Sequence, residues 1–174
     1  MDRDRVHKNI LLTGPPGCGK STLIEKTVQR IGRPSTGFFT RDIRDRGRRV
    51  GFSITTLDGK EGILAHVDIR GRKRRVGRYG VNLRDIDTIA VPSLIPEDET
   101  VVVVVDEIGK MECLSDLFRQ TLTQVLDAPN SVVGSIALKG DAFINAIKKR
   151  PDTRLITVLE KNRDRLVEEV LRRY

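Results

Sequence analysis

The sequence predicts an α/β fold, a three-layer sandwich with a mostly parallel sheet and an antiparallel meander inserted after the first helix. Three observations predict it. Short aliphatic runs alternate with amphipathic stretches of helical spacing, the pattern that builds helices onto a parallel sheet. One run, Val101 to Val105, is continuously β-branched, as in strands covered on both faces. Between Gly37 and Val67, three strand-like runs follow one another with only tight turns between them. A chain of 174 residues with 38% apolar content can bury one substantial core and is short for two. A single domain over 1–174 is therefore expected, with the insert at 36–82.

Taken in order, His7 to Thr13 is apolar and runs into a Gly/Pro-rich turn, so it reads as a buried strand. From Lys20, the residues Leu23, Ile24, Thr27, Val28 and Ile31 recur at helical spacing, and Gly32 and Pro34 end the helix. The meander comprises GFFTRDI, VGFSITTL and GILAHV, separated by Asp45-Arg46-Gly47 and Asp58-Gly59. Asp68 to Val81 is rich in arginine and glycine and reads as a basic surface loop. A short strand is expected at Ile86 to Val91, with Pro92 and Pro96 marking the connection after it. Beyond the valine strand, a helix is expected from about Lys110, with Met111, Leu114, Leu117, Phe118, Leu122 and Val125 facing inward. Ser131 to Leu138 and Arg154 to Leu159 read as strands, while Asp141 and Asn162 stand where helix caps are needed.

Composition narrows the function. The longest purely aliphatic run, Val101 to Val105, is far below the roughly 20 residues of a membrane helix, and no apolar signal region follows Met1 to Arg5. A cytoplasmic location with no membrane partner is expected. Cys18 and Cys113 are too few for a disulfide framework and have no metal-binding spacing, so both read as reduced thiols. The net charge of +8 and pI near 9.9 permit phosphorylated ligands. They also permit a nucleic-acid partner, which is not favoured because no aromatic-rich RNA motif or zinc finger accompanies the charge.

Gly14-Pro15-Pro16-Gly17-Cys18-Gly19-Lys20-Ser21 fits G-x-x-x-x-G-K-[ST] between a strand and a helix. The chemistry needs those residues in that pattern. Glycines let successive N–H groups turn inward to form a concave anion site, and the helix adds its positive dipole end. Lys20 can reach the β- and γ-phosphates, Ser21 can ligate Mg²⁺, and Thr22 can touch the α-phosphate. The expected ligand is a nucleoside triphosphate with Mg²⁺. At the end of the valine strand, Asp106 is placed to hold the cation and Glu107 to orient or deprotonate an attacking water. The same two acids could instead end a strand and cap a helix. A glutamate directly after the aspartate favours hydrolysis over transfer. Asp106-Glu-Ile108-Gly109 also satisfies D-x-x-G. Lys139-Gly-Asp141 partly echoes a guanine-reading pattern but lacks its asparagine, so Asp141 reads as a helix cap.

With these residues in hand, the chain resembles the small THEP-type nucleoside-triphosphatases over nearly its whole length. The shared strings are the phosphate loop, Thr36-Gly-Phe-Phe-Thr-Arg41, Arg49-Val-Gly-Phe52, Leu64-Ala65, Val76-Gly-Arg-Tyr-Gly-Val81 and Asp106-Glu-Ile-Gly-Lys-Met-Glu112. The resemblance implies a RecA-like P-loop fold and Mg²⁺-dependent hydrolysis of several nucleoside triphosphates to diphosphates. It also implies nucleotide contacts from Gly14 to Thr22 and from Asp106 to Gly109. Lys110 could approach the γ-phosphate or be solvated, and Glu112 could simply favour a helix start. Arg75, Arg78 or Tyr79 of the basic loop could close over the nucleotide. Two other readings stay open: a P-loop kinase, whose acceptor the meander would bind, and an ATPase module acting with nucleic acid.

Overall fold

The computed structural model describes residues 7–71 and 74–174, so Arg72 and Lys73 of the basic segment, and the N-terminal residues 1–6, lie outside it. One nine-stranded sheet runs through the structure in the order β5-β6-β4-β3-β2-β7-β8-β1-β9. Five strands form its parallel part: β2 (Ser35–Asp45), β7 (Val102–Ile108), β8 (Val132–Ile136), β1 (Asn9–Thr13) and β9 (Thr153–Thr157). From β2 the sheet continues antiparallel through β3 (Arg48–Thr56), β4 (Glu61–His66), β6 (Tyr79–Val81) and β5 (Arg75–Val76). β2 therefore belongs to both parts. The β2–β3 turn is the two-residue Arg46-Gly47, with φ of 46° and 79°, the mirror-image conformation that matches strand twist.

Side-chain alternation on β7 explains the three layers. Val102 and Val104 pack on one face with Ile10, Leu12, Leu23, Ile24 and Val167, beneath α1 (Lys20–Arg30) and α6 (Arg163–Leu171). Val103 and Val105 pack on the other with Leu11, Phe118, Leu122 and Ile144, beneath α4 (Asp116–Asp127) and α5 (Ala142–Lys148). Phe118 meets Phe38 edge-on at 6.2 Å, and truncating such a buried ring costs about 3–5 kcal/mol.

Four expectations need correction. The segment expected as a strand at Ile86 to Val91 is helical: α2 (Leu83–Asp85), a π-helical turn (Ile86–Ala90) and α3 (Val91–Ser93) form one run. Its buried residues, Ile86, Ala90, Val91 and Leu94, recur at helical spacing, and the Asn82 side chain accepts the Asp85 N–H at 3.2 Å. The helix expected from Lys110 starts six residues later. Glu112–Leu114 is a 3₁₀ turn, the Ser115 hydroxyl caps α4 by accepting the Phe118 N–H at 3.0 Å, and Leu114 and Leu117 are exposed. Asn162 stands at the N-cap of α6 but does not cap it with its side chain. Its amide instead ties the preceding turn, accepting the Leu159 N–H at 2.8 Å and donating to the Thr157 carbonyl at 3.0 Å. The basic segment is also less irregular than a loop, since β5 and β6 form a small hairpin within it.

Candidate active site

The phosphate loop links β1 to α1. Gly14, Gly17 and Gly19 have φ of 153°, 76° and 99°, values that side chains resist. A Cβ on Gly14 would also lie 2.5 Å from the Val158 carbonyl oxygen and 3.0 Å from the Cys18 sulfur buried under the loop. Gly19 is the N-cap of α1 and provides no side-chain cap, so the first-turn N–H groups are left for an anion. Lys20 Nζ donates to the carbonyls of Gly14 at 3.0 Å and Pro15 at 3.1 Å, across the mouth of the loop. Pro15, Pro16, Gly17 and Thr22 are exposed around it.

Asp106 is a buried residue of β7, directly after the run Val102 to Val105. Its strand does not adjoin β1, because β8 lies between them. The intervening strand contributes directly: Ser135 Oγ donates to Asp106 Oδ1 at 2.5 Å. Ser21 approaches the same carboxylate from the phosphate loop. Asp106 Oδ2 is buried with no hydrogen-bond partner among the described residues, as is the hydroxyl of Thr13. Burial pushes the Asp106 carboxyl above its usual range, while the Ser135 and Ser21 hydrogen bonds and the Lys20 ammonium oppose that.

Glu107, joined to Asp106 by a cis peptide, faces a cavity of about 350 Å³ shared with Gly17, Lys20, Ser21 and Thr22. Burial raises its carboxyl too; Lys20 lowers it and Asp106 raises it further. Behind Glu107 lies Glu112, which opens the 3₁₀ turn and is buried, 4% exposed. Burial, and next the charge of Glu107, push its carboxyl up to about 8, while N–H groups of Glu112 and Gly109 partly oppose this. Gly109 packs closely on both acids: a Cβ there would lie 2.9 Å from a Glu112 carboxylate oxygen and 3.6 Å from the Glu107 carboxyl carbon.

The remaining sequence candidates lie elsewhere. Ile108 is a core residue whose carbonyl accepts the Ala137 N–H at 3.1 Å, and Gly109 packs on Glu112, so neither lines the cavity. Lys110 is exposed. Arg75 donates to the carbonyls of Ile69, at 3.1 Å, and Arg78. Arg78 donates to the Arg49 carbonyl and to the Tyr79 hydroxyl. None of Arg75, Arg78 and Tyr79 lines the phosphate cavity. Asp141 caps α5 through the Ile144 N–H at 3.0 Å and pairs with Arg119 at 2.7 Å. Residues that motif reasoning missed complete the walls. Thr40, Arg41, Asp42, Arg49 and Phe52 of the β2–β3 hairpin close the phosphate cavity. A second cavity of about 420 Å³, between α1 and α6, shares Gly19 and Thr22 with the first and is lined by Lys26, Gln29, Arg163 and Asp164. Thr40, Arg41, Arg49 and Phe52 lie within the family strings at 36–41 and 49–52, though no motif chemistry marked them, and Ser135 left a local signal as a lone hydroxyl in the apolar run Val132 to Ile136.

Comparison with known proteins shows the family and the fold. A family model described as NTPase matches residues 9–171. Nucleoside-triphosphatase THEP1 of Thermotoga sp. (strain RQ2) is 45% identical over 163 residues, covering 93% of this chain and 92% of that protein. The human cancer-related nucleoside-triphosphatase is 38% identical over 180 residues, covering 94% and 95%. The crystal structure of THEP1 from Aquifex aeolicus superposes with a TM-score of 0.84 at 36% identity, covering 93% of this chain and 96% of that one. A RecA-like P-loop sandwich carrying its acids on the valine strand is thus what the sequence and the fold both describe, and the chain belongs to the NTPase family.

Proposed function

We propose that this chain hydrolyses nucleoside triphosphates to diphosphate and phosphate with Mg²⁺, using Glu107 as the general base. The observation that carries the reading is that Glu107 opens onto the same cavity as Lys20 and Ser21. Phosphate oxygens would sit on the N–H groups of the loop, with Lys20 turning from the Gly14 and Pro15 carbonyls to the β- and γ-phosphates. Ser21 and the unpartnered Oδ2 of Asp106 are oxygen donors of the kind a hard cation takes. Among the described residues no three His, Cys, Asp or Glu side chains are arranged to hold a metal ion by themselves, so phosphate and water would complete the coordination. Bound there, Mg²⁺ supplies neutralisation of the phosphate charge.

In the reaction, a water oxygen bonds to the γ-phosphorus and the bond to the β–γ bridging oxygen breaks. The electron pair leaves with the diphosphate, and Glu107 takes the water's proton. The partly buried environment that lifts the Glu107 carboxyl suits a base working near neutral pH. The cleft between α1 and α6 adjoins Thr22, where an α-phosphate would lie, and would take the nucleoside. Nothing there reads guanine in the way an Asn-Lys-x-Asp pattern does, and Asp141 is already engaged by Ile144 and Arg119.

The test is Glu107→Gln, which keeps size and removes the basic oxygen. Triphosphate binding should survive while turnover falls by about 10²–10⁴-fold. A variant retaining half the wild-type rate would remove Glu107 from this role. Assayed side by side, ATP and GTP should differ in kcat/KM by less than about 30-fold, and CTP and UTP should also be hydrolysed. A GTP preference above about a thousandfold would require a base reader on this chain, with Asp141→Ala the first variant to make.

A further inference from the structure

We propose that Arg49, from the antiparallel meander, is a further catalytic residue that places its guanidinium on the terminal phosphate during hydrolysis. The proposal rests on the hydrolytic reading above and adds the cation that the phosphate loop lacks. A transferring phosphoryl group spreads negative charge over its equatorial and leaving oxygens. Lys20 is the loop's own cation, and an arginine with its planar fork of donors meets the rest of that charge well.

The two faces of the sheet select Arg49 among the arginines. Ser135, whose hydroxyl holds Asp106, follows Val133 of the α1-side core by two residues, so Asp106 belongs to the α1 face. Arg41 is tied to that same side by its ion pair with Glu25 of α1 at 2.8 Å. Glu107 turns toward Glu112, its carboxyl carbon within 3.6 Å of a Cβ placed on Gly109, and the neighbours of Glu112, Met111 and Cys113, pack against the core of the opposite face. Phe52 packs against the core of that opposite face, and Arg49 stacks on Phe52 with its guanidinium carbon 5.3 Å from the ring centre. Arg49 is thus the cavity-lining arginine on the side of the base.

Its orientation is fixed from three directions. Asp42 pairs with Nε at 3.0 Å, and neither terminal amino group donates a hydrogen bond among the described residues. Behind the stack stands a ladder: Tyr79 meets Phe52 edge-on at 5.1 Å, and the Arg78 guanidinium lies 5.1 Å from the Tyr79 ring. Arg78 also donates to the backbone carbonyl of Arg49. The basic segment therefore acts through Arg49: Arg78 and Tyr79 are positioning residues, and the guanidinium that meets phosphate comes from β3.

The test compares Arg49→Ala, Arg49→Lys and Arg44→Ala. Arg44 also pairs with Asp42, at 2.8 Å, but does not line the cavity. Arg49→Ala should lower kcat by at least about 100-fold with KM within about threefold, and Arg49→Lys should recover under a tenth of the loss, because an ammonium has no planar fork. Arg44→Ala should stay within about twofold of wild type. Diphosphate binding with and without aluminium fluoride, which mimics the transferring phosphoryl group, gives a second readout. Wild type should tighten at least about tenfold with fluoride, and Arg49→Ala should bind diphosphate normally without tightening. If Arg49→Ala binds no diphosphate because it fails to fold, Arg49→Lys decides by the same two measures. An Arg49 variant keeping a third of the wild-type kcat, or tightening as wild type does, overturns the assignment and leaves the hydrolytic reading standing. A wild-type protein that hydrolyses no triphosphate sinks that reading, and the arginine's role with it.

Discussion

The parallel and antiparallel parts of the sheet are built to different rules. In the parallel part, β1, β7 and β8 are almost wholly buried, and polar groups are enclosed with the apolar ones: the Ser135 hydroxyl donates to Asp106 Oδ1, while Asp106 Oδ2 and the Thr13 hydroxyl have no partner among the described residues. In the meander, β3 is largely half-buried or exposed, and its charges meet as surface pairs such as Arg49–Asp42, each worth little to stability. The difference teaches where each part can tolerate change. A polar group moved in the parallel part should disturb both folding and the proposed cation site, because removing a buried partner leaves a desolvated group unsatisfied. A charge moved in the meander should leave folding intact and reach the chemistry only if it faces the cavity.

The sharpest way to break this comparison is Ser135→Ala. It removes the hydroxyl that favours the charged form of Asp106, so the Mg²⁺ concentration for half-maximal turnover should rise about tenfold and stability should fall by about 1–3 kcal/mol. Titrating Mg²⁺ against rate checks it; an unchanged requirement would mean that the buried network does not serve the cation.

Glu112→Gln comes next in size. Its carboxyl ordinarily titrates near 4.5 and is pushed up to about 8 in the fold. The folded state therefore binds the proton throughout that interval, so stability is greatest below it and drains as pH rises through it. The amide escapes this loss, and the variant's Tm relative to wild type should climb by about 5 °C between pH 5 and pH 8. Parallel melting curves across that range would expose a flat difference if Glu112 titrates normally.

The smallest effect belongs to the meander. Arg46 at the β2–β3 turn has a φ of 46°, a conformation glycine adopts more readily. Arg46→Gly should raise Tm by about 2 °C and leave kcat unchanged. A loss of turnover there would show that the hairpin tip takes part in the reaction.

What could be read from the sequence follows the same division. The phosphate loop and the Asp106-Glu107 pair were legible because their chemistry is contiguous: glycines, a lysine and a hydroxyl in eight residues, then two acids ending a β-branched run. The strands of both parts were legible from apolar runs and turn residues. What escaped was long-range. No spacing in the chain says that β8 passes between the loop and the acids, that Ser135 reaches Asp106, or that a 3₁₀ turn buries Glu112 under Gly109. The region Ile86 to Val91 misled because a short β-branched segment satisfies strand and helix patterns alike, and packing against the sheet decided between them. Arg75 and Arg78 stood out by density of charge, yet the cavity takes Arg49, whose place depends on pairing between β2 and β3.

The open ends of the nine-stranded sheet bear on self-association. An unpaired strand offers a row of backbone donors and acceptors on which another chain can extend the sheet. Here one margin ends in β5, only two residues long, and Arg75 folds its guanidinium back onto the carbonyls of Ile69 and Arg78. The other margin, β9, carries Arg154 paired with Glu169 of α6. Ribbon-like stacking of copies through their sheets is thereby discouraged at the short margin by scarcity of free backbone, while at the longer one another strand would have to lie beside the Arg154–Glu169 pair.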